Sequence, residues 1–214
     1  MGGPASGKGT LAARLAASLG RTAVLSTDNY LKGDRKWRRA AIEDVGKDPL
    51  EKYDITYLAT QVKRIAELKN GEEVGIPHYD GTTGIAISDD PINIPPDSEF
   101  PTKVKGRQDF IIVEGDFQFL EPELLDQLVY LDVADDVRLQ NRLHRDEVER
   151  REAEDKQANE KKIRDNFDTR QKTQFLPHTL PQMSKADLVV HVSANPTTDP
   201  NSKTKYQYSY DLTL

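Results

Sequence analysis

Near the start of the chain, Gly2-Gly3-Pro4-Ala5-Ser6-Gly7-Lys8-Gly9-Thr10 fits the pattern G-x-x-x-x-G-K through Lys8. Glycines in such a run let successive backbone N–H groups point inward at an anion without Cβ obstruction. The helix that follows adds its positive N-terminal end. Lys8 would then reach the β- and γ-phosphates of a nucleotide as a point charge. The usual hydroxyl after the lysine is replaced by Gly9, and Thr10 stands one position later. Its hydroxyl is placed to touch the α-phosphate, which leaves a metal ion to carboxylates and waters. A glycine-rich turn that merely starts a helix is the plainer alternative.

Two carboxylates stand where short apolar runs end. Asp28 follows Ala23–Ser26, in Leu25-Ser26-Thr27-Asp28-Asn29-Tyr30. Ligands of open α/β sheets sit beyond the carboxyl ends of the strands. A carboxylate there could accept the proton of an attacking hydroxyl; the alternative is a turn or helix-capping aspartate. Glu114 ends Phe110–Val113 and precedes Gly115, a position from which an acid can hold Mg²⁺ through water. The plainer reading is a surface acid at a strand end. If both runs are strands of one sheet, these two ends converge.

Cations come in two groups. Arg138, Arg142 and Arg145 are spaced by four and three, so they share a helix face. Guanidinium groups on a mobile helix could stabilise the charge that phosphoryl transfer spreads over its equatorial oxygens. An exposed helix with compensating acids fits the same run, since residues 135–172 hold 11 Lys+Arg and 11 Asp+Glu. Lys32-Gly33-Asp34-Arg35-Lys36-Trp37-Arg38-Arg39 reads first as a solvated face, with phosphate binding as the alternative.

The elements that must position these residues follow from periodicity. Leu11, Leu15 and Leu19 at fourfold spacing predict a helix over 8–19, closed by Gly20. Asp54 predicts a cap for a second helix, with Ile55, Leu58, Val62, Ile65 and Leu68 on one stripe and Gly71 beyond it. Residues 72–105, rich in Gly and Pro, read as a hairpin-like flap with an irregular loop. Ala23–Ser26, Phe110–Val113, Leu128–Leu131 and Leu188–Val192 read as strands, with a helical turn at 123–127. Short apolar strands alternating with helices argue a parallel sheet covered on both faces. A phosphate loop is normally delivered by a buried strand, yet only Met1 precedes Gly2. The expectation is that such a strand lies upstream of this chain, the alternative being a sheet without it.

Composition removes several classes. The chain has 214 residues, 36% hydrophobic and 31% charged, enough for one cored domain and too apolar for a disordered polymer. Runs such as Phe110–Val113 are far too short to span a membrane, and no secretory segment is visible. Zero cysteines exclude disulfides and thiolate chemistry. The four histidines show no zinc-type spacing, and a formal charge of −6 argues against a dedicated nucleic-acid binder. The default is a cytoplasmic protein.

Taken in order, these pieces resemble the uridine kinase and phosphoribulokinase group of P-loop kinases. The matching residues are Gly2–Thr10, Leu25-Ser26-x-Asp28-x-Tyr30, Ile76-Pro77-x-Tyr79-Asp80, Ile112-Val113-Glu114-Gly115, Arg138-Leu139-x-x-Arg142-x-x-Arg145-Asp146 and Lys185-Ala186-Asp187-Leu188. The resemblance implies a P-loop NTPase-type α/β fold over 1–194, with a flap at about 72–105, a helical lid at about 138–156 and a polar tail at 195–214. It implies ATP and Mg²⁺ as cofactors and a small hydroxyl-bearing acceptor, such as a nucleoside or a sugar or polyol, and leaves a homo-oligomer open. Gly3, Pro4, Ala5, Ser6, Gly7, Lys8, Gly9, Thr10 and Arg142 would bind nucleotide. Asp28, Lys8 and Arg145 would be catalytic, with Asp28 the base. Glu114, Asp28 and Thr10 would serve the metal, and Tyr30, Tyr79 and Asp48 the acceptor. Two departures stand out: Gly9-Thr10 replaces the usual T-T or S-T pair, and Gly81-Thr82-Thr83-Gly84 replaces the His and Arg that follow the Tyr-Asp pair in uridine kinases. A nucleotide-binding regulator of the same fold, without turnover, is the competing expectation.

Overall fold

A computed structural model describes residues 1–33, 38, 49–79, 102–116, 120–149, 156–196 and 206–213. The chain divides into two compact units. One holds Met1–Lys8, Asp116–Gln118 and Asp126–Leu214, the other Gly9–Gly115 and Phe119–Leu125.

In the second unit, strand β1 (Thr22–Ser26) pairs in parallel with β4 (Phe110–Glu114), from Thr22↔Phe110 to Ser26↔Glu114. Both strands therefore end at the same edge, as the two carboxylates required. Helix α1 (Lys8–Leu19) buries only Ala12, and Leu15 and Leu19 stay exposed. Helix α2 (Ile55–Ala66) is amphipathic in the expected register: Leu58, Val62 and Ile65 are buried with Gln61. Asp54 caps it, Oδ1 accepting from the Tyr57 N–H at 2.9 Å. The buried stripe meets Ala23 and Leu25 of β1, together with Val74, Ile76, Val104 and Leu120, in one apolar cluster. Strands β2 (Glu73–Ile76) and β3 (Thr102–Lys105) form an antiparallel pair, which is the stem of the expected hairpin. Residues 80–101 of that flap lie outside the described residues.

In the first unit, β5 (Val129–Val133) pairs in parallel with β6 (Leu188–Pro196). Met1 and Gly2 run alongside β5: the terminal ammonium donates to Val129 O at 2.6 Å, the Leu131 N–H donates to Met1 O at 2.8 Å, and Gly2 bridges Leu131 in parallel. The run entering the phosphate loop is thus laid against a sheet strand. Helix α3 (Asp135–Glu149) follows β5 directly, and α4 (Lys156–Arg170) continues into a wide π-helical segment, Gln171–Thr179. Pro177 inside that segment has no N–H to give an α-type bond, which favours the wider turn. The polar tail holds a further strand, β7 (Tyr206–Thr213), antiparallel to β6. Its alternation of Tyr206, Tyr208, Tyr210 and Leu212 with Gln207, Ser209 and Asp211 is a period of two. Among the described residues no helix is long and apolar enough to cross a membrane.

The ends of β1 and β4 are locked by a close approach. A Cβ placed on Gly115 would stand 2.2 Å from Thr27 Oγ1 and 2.6 Å from its Cγ2. Gly115→Ala should therefore cost about 1–3 kcal/mol, as for overpacking, read as a lower urea midpoint at unchanged slope. An unchanged midpoint would show that this edge can open at no cost.

Candidate functional site

The loop Gly2–Lys8 curls around its own lysine. Lys8 Nζ donates to Gly2 O at 3.1 Å, to Gly3 O at 2.8 Å and to Asp116 Oδ1 at 2.8 Å. The ammonium's three protons have three acceptors, and the side chain is only 10% exposed. The Ser6 N–H donates to Gly3 O at 3.3 Å and closes the turn. Gly7 lies at φ +85° and Ala5 at +61°, left-handed backbone that lets the segment reverse. A Cβ on Gly7 or Gly9 would meet nothing within 4 Å, so the loop is open there. Ser6 is buried, and its Oγ has no hydrogen-bond partner among the described residues. Helix α1 begins at Lys8 with no acid in its first turn, leaving its positive end unneutralised by its own side chains. This donor set fits the phosphates of a nucleotide. Pro4 is half-buried, and Gly9 and Thr10 are exposed at the start of α1.

Asp116 is the residue that sequence reasoning missed. It stands two positions beyond Glu114, and nothing in the spacing separates it from an ordinary acid after a strand. The fold brings this carboxylate, not a helix arginine, to the loop lysine. On β5 the buried Tyr130 hydroxyl is pushed up to about 12, chiefly by burial and then by Asp132, so it stays neutral.

The arginines of α3 differ in environment. Arg138 is completely buried, Arg142 half-buried and Arg145 exposed. Arg142 and Arg145, the expected lid cations, both keep exposed surface. Arg138 instead faces the interior, where Phe167, Gln171 and Phe175, spaced by four, receive it. That spacing of two aromatics in a polar stretch is the signal that could have disclosed it.

In the second unit, Asp28 is exposed in the 3₁₀ turn Thr27–Tyr30, directly after β1. Glu114 is half-buried at the paired end of β4. Among the described residues no group of three or more His, Cys, Asp or Glu side chains could cage a metal ion. A hard cation that keeps most of its waters and takes one or two carboxylates fits such sparse ligation. Tyr30 departs from the expected pocket wall: it is 0% exposed, in the apolar cluster, its ring 5.6 Å from that of Tyr57. Burial, with Tyr57 adding, pushes its hydroxyl well above the usual range. Tyr79 retains exposed surface; its N–H donates to Asn29 Oδ1 at 2.9 Å, and the Arg38 guanidinium stands 5.9 Å from its ring centre. Arg38 is itself buried and donates to Lys32 O at 3.1 Å and Gly33 O at 2.5 Å, so it is no part of a solvated face. Asp48 lies outside the described residues.

A model of the Phosphoribulokinase / Uridine kinase family matches residues 1–199. A uridine kinase of Borrelia duttonii is 31% identical over 150 residues, 68% of this chain and 64% of that protein. A phosphoribulokinase of Synechocystis is 28% identical over 191 residues, 87% of this chain and 50% of that one. The solved phosphoribulokinase of Rhodobacter spheroides superposes with a TM-score of 0.52 at 15% identity, over 91% of this chain and 68% of its own. That likeness shows the fold, an α/β phosphate-loop fold with a parallel sheet. The chain spans half or less of the length of most of the curated relatives it matches.

The Lys8–Asp116 pair makes a prediction about affinity. Asp116→Asn removes the carboxylate that competes for the ammonium and one negative charge beside it. Metal-free tripolyphosphate should then bind about fivefold to tenfold more tightly, about 1 kcal/mol of relieved competition. Weaker or unchanged binding by calorimetry would show that Asp116 does not restrain Lys8.

Proposed function

We propose that this chain, which belongs to the Phosphoribulokinase / Uridine kinase family, is an ATP-dependent phosphotransferase acting on a hydroxyl of a small metabolite. The observation that carries the reading is the loop that wraps Lys8 at the start of α1. Its amides and ammonium are the groups that a triphosphate needs. When bound, ATP with Mg²⁺ supplies the phosphoryl group and part of the charge neutralisation.

The chain's own residues take the other roles. Gly3 through Thr10 hold the phosphates, and Lys8 carries its charge to the β- and γ-oxygens. Asp28 would accept the proton of the acceptor hydroxyl as that oxygen bonds to the γ-phosphorus and the bond to the bridging oxygen breaks, with ADP as the leaving group. Glu114, with Asp28 and Thr10, would hold the metal ion, which would supply charge neutralisation there. Arg142 and Arg145 stabilise charge on the transferring group, which is worth most once water is excluded. Tyr79 and Asp48 hold the acceptor, a nucleoside or a sugar or polyol. Tyr30, sealed in the core, fixes the turn that carries Asp28 and touches no ligand.

A regulator that binds nucleotide without turnover is the second reading. Gly9 favours it, since it stands where the usual pattern has a metal-binding hydroxyl. A coupled ADP-release screen with Mg²⁺-ATP over nucleosides, sugar phosphates, pantothenate and glycerate separates the two. Turnover on at least one acceptor is expected, abolished in Lys8→Ala. Asp28→Asn should lower kcat by ~10²-fold or more while ATP affinity stays within a few-fold. Tight ATP binding with no turnover on any acceptor would establish the regulator instead, and an unchanged kcat in Asp28→Asn would remove it as the base.

A further inference from the structure

We propose that one face of α3 clamps the phosphate loop into shape, with Arg138 and Asn141 as positioning residues. The inference rests on reading Gly2–Lys8 as a phosphate-binding loop. Both residues and the loop segment they meet belong to the same compact unit.

Arg138 is held from several sides. Its Nε donates to Val133 O at 3.1 Å and its Nη2 to Gln171 Oε1 at 2.9 Å, with Asp135 as the ion-pair partner. Gln171 in turn donates to Asp135 Oδ2 at 2.7 Å. The guanidinium lies 3.9 Å from the ring centre of Phe175 and 5.4 Å from that of Phe167. The remaining nitrogen, Nη1, is buried without a hydrogen-bond partner among the described residues, and it stands against Gly3. A Cβ at position 3 would lie 2.2 Å from Nη1, 2.8 Å from Cζ and 2.8 Å from Phe175 Cε2. Gly3 does not have a positive φ, so its glycine is demanded by space for this guanidinium and not by backbone conformation.

One turn along α3, Asn141 Nδ2 donates to Ala5 O at 3.2 Å. Ala5 is the only non-glycine with positive φ among the described residues, at 61°. A left-handed alanine is strained and persists only where its surroundings impose it. Arg138 and Asn141 are three apart and so lie on one helix face. Of the loop residues with special demands, this face meets two: Gly3, which needs space, and Ala5, which is strained. A residue that only filled the core would be cheaper as an apolar side chain, since a buried guanidinium bears a desolvation cost.

The test compares Arg138→Met, Arg138→Lys and Asn141→Ala with the wild type, and repeats Asn141→Ala in an Ala5→Gly background. Two quantities are read at a temperature where every variant is folded: the Kd for inorganic tripolyphosphate and the hydrogen exchange of amides 2–8. Arg138→Met and Asn141→Ala should each weaken binding about fivefold to tenfold, as for one lost buried hydrogen bond. Exchange in the loop should speed up while β2 and β3 stay protected. Arg138→Lys should recover part of the loss. In the Ala5→Gly background, Asn141→Ala should cost less than about twofold, because glycine holds the left-handed conformation without support. Equal losses in both backgrounds, or unchanged affinity and exchange in a wild type that binds, would overturn the clamp. Should Arg138→Met fail to fold, the two Asn141→Ala measurements decide alone. A wild type that does not bind tripolyphosphate would overturn the phosphate-loop reading and the clamp with it.

Discussion

An ammonium has three protons to place, and the loop at the start of this chain is built around that fact. Two of its own carbonyls and one carboxylate receive the protons of Lys8. For carbonyls two and three to turn back toward residue 8, the segment must reverse within five residues. The reversal uses left-handed backbone at Ala5 and Gly7 and the Ser6-to-Gly3 turn. On the other side Met1 and Gly2 are fixed to β5. The loop thereby closes on its own lysine, and α1 starts where the loop ends.

The same economy of charge explains the graded arginines of α3. The helix begins beside β5 with Asp135 and Asp136 exposed and Val137 and Arg138 buried, and Arg138 is accepted there because Asp135, Gln171 and two rings take up one of its nitrogens and its face. Seven residues on, Arg145 stands in solvent. A single run of arginines thus supplies a structural cation at one end and accessible cations at the other. In the second unit the parallel pairing of β1 and β4 does comparable work for acids, bringing the residues after Ser26 and at Glu114 to one edge.

Much of this was legible in the residues themselves. The glycine pattern with its lysine, the Asp54 cap, the α2 stripe and the short apolar strands are local features, and local features survive folding. What escaped depends on long-range packing. Asp116 lies 108 positions from Lys8, and no periodicity links them. Arg138 shares a charge pattern with Arg142 and Arg145, and charge pattern alone does not tell which residue of a helix lies beneath a loop. Tyr30 is placed at the acceptor by the family resemblance alone, yet the cluster around Leu58 and Ile65 encloses it whole. Strand β7 alternates clearly, but its polar members disguise it as a tail. The π-helical segment contains a proline whose effect could equally have been a break.

The central claim is that the amides of residues 3 and 5–10 with the Lys8 ammonium form the seat of a nucleotide's phosphates. Backbone ¹⁵N NMR during titration with Mg²⁺-ATP tests it most directly. The account predicts that the largest shift changes fall on the amides of residues 3 and 5–10, saturating together with those at the start of α1. The Lys8 side-chain signal should shift with them as it exchanges Asp116 for phosphate oxygens. Saturable shifts confined to other parts of the chain, with the loop amides unmoved, would contradict it.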